Sequence, residues 1–235
     1  MVVVAHPDDE VLGCGGAIAS HRRNGDRVTI LIMADGVTSR AYNPQEKISR
    51  VQELARHDKA ILSRRKEALK AGASLGVAAK DIIFMNLADQ RLDSYPFLDV
   101  VKHVEMVKQK VKPSLVYTHF WNDFNKDHQL VCQAVLTAFR PAWGKKNTAV
   151  FHMEIPESTC LSVPCRGADF IPDHFVDIAK SLPAKLKALK VYESEARKSP
   201  HPRSVEFIET LASQRGQQSG LKLAEAFVNI NMRTC

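Results

Sequence analysis

The chain has 235 residues, of which 45% are hydrophobic and 25% charged, a composition that suits one sizeable α/β domain over 1–235 with enough apolar residues for a full core. Its 33 basic and 26 acidic residues leave a net charge of +7, but the basic residues lie along helices rather than in an aromatic-laced stripe, which argues against nucleic-acid binding. No stretch approaches the roughly 20 continuous apolar residues of a membrane span, Met1-Val2-Val3-Val4 lacks the basic flank of a signal peptide, and the scattered Cys14, Cys132, Cys160, Cys165 and Cys235 form no CxxC pair, so a cytoplasmic protein with reduced or buried thiols is expected.

Strand and helix patterns then alternate. Val2 to Ala5 reads as a short buried strand, Val11 to Asn24 as a helix ended by Gly25, and the β-branched run Val28 to Met33 as the second strand of a βαβ unit. Asp35 to Gln45, with Gly36, Asn43 and Pro44, reads as a loop. The charged stretch up to Gly72 carries helical spacing at Ile48, Val51, Leu54, Ile61, Leu62, Ala68 and Leu69. Asp81 to Met85 predicts a third strand, Phe97 to Val111 a helix stopped before Pro113, Leu115 to Thr118 a fourth strand, and His128 to Phe139 another helix.

This order implies a Rossmann-like, doubly wound, mostly parallel sheet with helices on both faces and right-handed crossovers. The core would span about 1–140. A C-terminal elaboration over about 141–235 would hold a strand at Thr148 to Met153, an irregular insertion from Ile155 to Pro172, helices at Leu182 to Glu195 and Ser204 to Gln214, and a closing strand at Ala226 to Ile230.

In such a sheet the functional crevice opens beyond the carboxyl ends of the strands where the strand order reverses, commonly between the first and fourth strands. Two polar clusters follow those strands: His6, Asp8, Asp9 and Glu10 after the first, and His119, Asn122, Asp123, Asn125, Asp127 and His128 after the fourth. Buried carboxylates at such a place must be paired, protonated or metal-bound. A His/Asp/His set without thiolates suits a catalytic zinc site with an open coordination position. Pro7 restrains the backbone so that His6 and Asp9 can converge on one ion while Asp8 points to the open position, and His128 would be the third ligand. Polar helix caps, or an anion site at a helix start, are the other readings of these residues. Gly13-Cys14-Gly15-Gly16 superficially suggests a nucleotide loop. However, acidic side chains stand where the pyrophosphate would rest, so close helix packing is the expected role of these glycines.

Ala5-His6-Pro7-Asp8-Asp9-Glu10, with the later Asp127-His128, resembles the PIG-L/LmbE-like zinc-dependent N-deacetylases, and the resemblance continues through Arg64-x-x-Glu67, Asp89-Gln90-Arg91-Leu92-Asp93, Tyr117-Thr118-His119 and His201-Pro202-Arg203-Ser204. It implies hydrolysis of an N-acetyl group on a glucosamine-type sugar or conjugate, with His6, Asp9 and His128 holding Zn2+ and Asp8 as general base. Several members carry His-x-x-His, whereas this chain has Asn125 three places before His128, and Asn cannot shuttle a proton. Either Asp8 performs all proton transfer, or His119 or His201 substitutes. Asp127 becomes a supporting or electrostatic partner of His128, or a helix cap.

The resemblance further implies that Arg64 anchors the substrate. Asp89, Arg91 and Asp93 are of the right types to bind sugar hydroxyls or, equally, to form a local salt bridge, and His201 and Arg203 would contribute from a lid or a neighbouring subunit, the alternative being a plain surface loop. The expected partner is a small N-acetylated amino sugar or sugar conjugate, and a homo-oligomer is in keeping with the family. A non-catalytic metal- or carbohydrate-binding module, or a nucleotide-binding Rossmann protein, are the competing readings.

Overall fold

The computed structural model describes residues 1–41, 50–141, 147–161, 169–195 and 197–230. Asn43, Pro44, Ile48, Cys165 and Cys235, singled out above, lie outside them. The elements run β1 (Val2–Val4), α1 (Asp9–Arg23), β2 (Ile30–Ala34), α2 (Thr38–Ala41), α3 (Arg50–Ser74), β3 (Ile82–Leu87), α4 (Phe97–Val111), β4 (Leu115–His119), α5 (Lys126–Ala138), β5 (Ala149–Met153), β6 (His174–Asp177), α6 (Leu182–Val191), α7 (Val205–Ser219) and β7 (Ala224–Ile230). Among the described residues no helix is long and apolar enough to cross a membrane.

The strands form one seven-stranded sheet in the order β3-β2-β1-β4-β5-β7-β6. β1 to β5 pair in parallel, β7 is antiparallel to β5, and β6 is antiparallel to β7. This is the expected doubly wound sheet, with its order reversing between β1 and β4. Alternate strand residues feed opposite cores. Val2, Val4, Ile30 and Ile32 pack with Leu12 and Ile18 of α1, Ala71 of α3 and Leu189 of α6. Val3, Leu31 and Met33 pack with Val100, Val104 and Val107 of α4 and Val131 and Val135 of α5. Both faces are therefore covered, which explains why these strands read as unbroken apolar runs.

Several expectations need correction, among them the loop read over Asp35 to Gln45, in which α2 forms, and the helix from Leu182, which stops at Val191 rather than Glu195. α1 begins at Asp9 and α5 at Lys126, two residues earlier than the apolar pattern indicated in each case, because buried polar residues of the site occupy both first turns. Leu54 and Leu62 of α3 are exposed, and it is Ala68, Ala71 and Leu75, near the C-terminal end of this helix, that are buried. The edge strand β6 was not visible in the sequence, since among the described residues it pairs with β7 alone and none of its four residues is fully buried.

The glycines of α1 serve packing. A Cβ at Gly13 would meet Met153 Sδ at 2.5 Å, and one at Gly16 would meet Ile178 Cγ2 at 2.6 Å. The helix kinks at Cys14 (φ −147°, ψ 24°), and the amides of Gly16 and Ala17 donate to the Glu225 carboxylate at 2.8 and 2.7 Å. Lys185 Nζ closes this buried group, 2.6 Å from Glu225 Oε1 and 2.9 Å from Leu12 O. The amides a nucleotide phosphate would need are thus spent on the chain's own carboxylate, which removes the support for the Rossmann-nucleotide reading.

Candidate metal centre and active site

The loop after β1 and the start of α5 meet at the reversal point. His6 Nδ1 lies 3.4 Å from Asp9 Oδ2, His128 Nε2 lies 3.3 Å from the same oxygen, and the two ring nitrogens are 3.3 Å apart. An ion with tetrahedral bonds of about 2.0–2.1 Å spaces its donors about 3.3–3.4 Å apart. The three side chains therefore form a triangle of the size of one face of such a coordination shell, and the donor chemistry, two imidazoles and a carboxylate, suits a divalent metal of the zinc type.

The surroundings orient these donors. His6 Nε2 faces Asp127 Oδ2 at 3.1 Å and Asp89 Oδ1 at 3.0 Å, so its proton belongs on Nε2 and the Nδ1 lone pair points into the triangle. His128 Nδ1 donates to Asp123 Oδ1 at 3.0 Å, which frees Nε2 in the same way. Asp123 is fully buried, its other oxygen accepting from Ser158 Oγ at 3.0 Å and Thr159 Oγ1 at 2.7 Å. Asp127 accepts from the amides of Gln90 and Leu92 at 2.8 and 3.2 Å.

Electrostatics point the same way. Burial alone would push both imidazoles down, but hydrogen bonds donated to Asp127, Asp89 and Asp9 hold His6 well above its ordinary range. Against the same burial, Asp9 and Asp123 push His128 up to about 9. Burial would likewise raise Asp9, yet the neighbouring His128 and His119 hold it well below the usual carboxylate range. The field at this spot favours positive charge.

Asp8 borders the triangle with φ 115° and ψ −29°, a left-handed conformation costly for a non-glycine residue, by about 1–3 kcal/mol, and concentrated at functional sites. Its carbonyl starts α1 by accepting from the amides of Val11 and Leu12 at 3.0 and 2.9 Å. Burial, offset in part by Arg203, pushes the Asp8 carboxyl up to about 7. Arg203 Nη1 reaches Asp8 Oδ2 at 3.0 Å, and its Nε is 2.7 Å from Glu157 Oε2.

A second charged group forms the crevice wall. Glu195 accepts from Arg64 Nη2 at 2.5 Å and Arg40 Nη2 at 3.0 Å, and lies 3.4 Å from Arg203 Nη1. Ser39 Oγ ties α2 to Asp89 Oδ2 at 2.5 Å. The crevice is thus lined by His6, Asp8, Asp9 and His128 on the metal side, and by Arg40, Arg64, Asp89, Asn125, Glu195 and Arg203 around it.

Of the residues singled out in the sequence, the structure brings His6, Asp8, Asp9, Arg64, Asp89, Asn125, His128 and Arg203 to this crevice. His119 is instead fully buried behind it, stacked on the His128 ring at 3.9 Å. Its Nε2 accepts from Ala5 N–H at 2.8 Å, so it is not available as a proton donor to a substrate. Arg91 and Asp93 are exposed and do not line the crevice, because the short turn after β3 points them outward while Leu92 goes in. His201 does not line it either, its Nδ1 accepting from Arg203 N at 3.1 Å. Asp127 proves to be neither the partner of His128 nor the cap of α5. It supports His6 from behind, while Asn125 Oδ1 caps the helix by accepting from Asp127 N–H at 2.9 Å. Sequence reasoning passed over Asp123 as a support and missed Glu195 and Arg40. The one available signal was Asp123, already in the polar loop after β4.

A sequence profile described as GlcNAc-PI de-N-acetylase (PIG-L) matches residues 1–139. The diacetylchitobiose deacetylase of Thermococcus kodakarensis is 26% identical over 96% of this chain and 80% of its own length. Among solved structures, the N,N'-diacetylchitobiose deacetylase from Pyrococcus horikoshii superposes with a TM-score of 0.72 at 22% identity, covering 97% of this chain and 82% of that one. A 4-carboxy-2-hydroxymuconate hydratase from Pseudomonas putida gives 0.73 at 23% identity over 100% and 96% of the two chains, so likeness at this level speaks for the fold alone.

Proposed function

The chain belongs to the GlcNAc-PI de-N-acetylase (PIG-L) family, and from that premise we propose that it is a zinc-dependent hydrolase removing the acetyl group from an N-acetylglucosamine-type amino sugar or its conjugate. The observation that carries this reading is the donor triangle of His6, Asp9 and His128, with edges of 3.3–3.4 Å and Asp8 at its border. These three residues would hold the zinc. When bound, such an ion lowers the pKa of water from about 15.7 toward about 7 and polarises an amide carbonyl.

The chain's own residues supply the rest. Asp8 takes a proton from the water that attacks the amide carbon and returns it to the departing nitrogen, so that acetate and a free amine leave and the carboxylate is restored. An ordinary carboxyl would be a poor acid for the second transfer near neutral pH. Asp8, buried at the border of the triangle, is raised by that burial above an ordinary carboxyl, which favours its acting in both directions. Among the described residues the only histidines lining the crevice are His6 and His128, both engaged in the triangle, so Asp8 carries both transfers. The cap bond engages Asn125 Oδ1, and its Nδ2 can donate to the amide oxygen as negative charge develops there. Arg64 and Arg40 offer further donors to sugar hydroxyls.

Metal analysis of the purified protein and amine release from N-acetylglucosamine derivatives test the proposal. Near-stoichiometric zinc is expected, and Asp8→Asn should slow release at least ~100-fold. Wild-type turnover in Asp8→Asn would refute the mechanism, and a protein without tightly bound divalent metal would refute the metal assignment.

A further inference from the structure

The strained backbone of Asp8 is braced from inside the protein. Its N–H donates to Glu10 Oε2 at 3.0 Å, and Glu10 Oε1 accepts from the Tyr192 hydroxyl at 2.5 Å. Asp8 and Glu10 are buried and Tyr192 is completely so. One Glu10 oxygen is thus tied to the loop after β1 and the other to the end of α6. Tyr192 closes the C-terminal end of α6, beyond the residues the family profile matches, and α6 packs on α1 through Ala188 and Leu189.

We propose that Tyr192 is a positioning residue for Asp8: acting through Glu10, its hydroxyl holds the left-handed backbone that aims the Asp8 carboxylate at the reacting water, an inference that rests on the reading of Asp8 as base. A non-glycine residue keeps such a conformation only where its surroundings over-determine it. Here the carbonyl is held by the start of α1, the side chain by Arg203, and the amide by Glu10. Without the tyrosine hydroxyl, Glu10 Oε1 loses its side-chain partner and the carboxylate can turn, which weakens the bond that holds the Asp8 amide in the interior. The C-terminal part of the chain thereby takes part in setting up a base that lies at its other end.

Tyr192→Phe isolates the hydroxyl, because the ring stays in the core and keeps the Arg64 guanidinium 6.0 Å from its centre. The expected result is a fall in kcat of about 10-fold with KM and zinc content unchanged, as for a displaced catalytic group. In an Asp8→Asn background the same substitution should cost less than about twofold, since a residue acting only through the base has nothing left to act on. Hydrogen exchange at the Asp8 amide should quicken at least ~10-fold, while the amides of Val3 and Leu31 stay protected. Unchanged exchange at Asp8, or an undiminished loss of kcat in the Asp8→Asn background, overturns the proposal. If the wild-type protein released no amine from any N-acetylated sugar, the deacetylase reading would fail, and the exchange rate at Asp8 would still decide whether the brace exists.

Discussion

Replacing Asp123 by asparagine removes one negative charge from behind His128 while keeping the side-chain shape. Four donors converge on the native carboxylate: His128 Nδ1 and the Asn125 amide on Oδ1, at 3.0 and 2.9 Å, and the hydroxyls of Ser158 and Thr159 on Oδ2, at 3.0 and 2.7 Å. An asparagine with its oxygen toward His128 preserves the first pair. Its NH2 then faces two hydroxyls that can turn to accept, so the hydrogen bonds survive and folding is little affected. What disappears is the charge that raises the basicity of His128. Loss of such a partner typically weakens metal binding 10–100-fold, or about 1.4–2.7 kcal/mol. Competition against a chromophoric chelator should show the zinc dissociation constant of Asp123→Asn raised by that factor, with the melting temperature within about 3 °C of wild type. A dissociation constant within threefold of wild type would refute the claim that Asp123 tunes the site. A collapse of folding would show instead that the carboxylate charge is needed by the loop itself.

Two further outcomes follow from the same geometry. Arg64→Ala should raise KM more than it lowers kcat, because Arg64 borders the crevice without touching the donor triangle; steady-state kinetics with an unchanged KM would remove it from the substrate wall. Lys185→Met leaves the buried Glu225 with only the amides of Gly16 and Ala17 as partners among the described residues, and should cost about 3 kcal/mol, or roughly 6–12 °C in thermal unfolding. A shift under about 2 °C would mean that the ammonium contributes nothing net.

Much of the frame was legible in the chain. Strands buried on both faces must be nearly continuous apolar runs, so β1 to β5 announced themselves, and their alternation with helices dictated a parallel doubly wound sheet. The reversal between β1 and β4 then brought His6, Asp8, Asp9 and His128 to one crevice from opposite ends of 122 positions. β6 stayed hidden because an edge strand with no fully buried residue carries little apolar signal.

The sequence by itself determined the architecture and the polar clusters that the sheet carries, since both follow from local periodicity and from where loops must leave parallel strands. Which carboxylate serves which histidine was decided only by tertiary structure. Asp127 adjoins His128 in the chain, yet consecutive residues on a helix point about 100° apart. Asp127 therefore reaches across to His6, and Asp123, folded back from the preceding loop, reaches His128. Tyr192 and Glu195 met the site only through the packing of α6, a long-range contact that no local pattern encodes, and which places a tyrosine hydroxyl two hydrogen bonds from the backbone of Asp8.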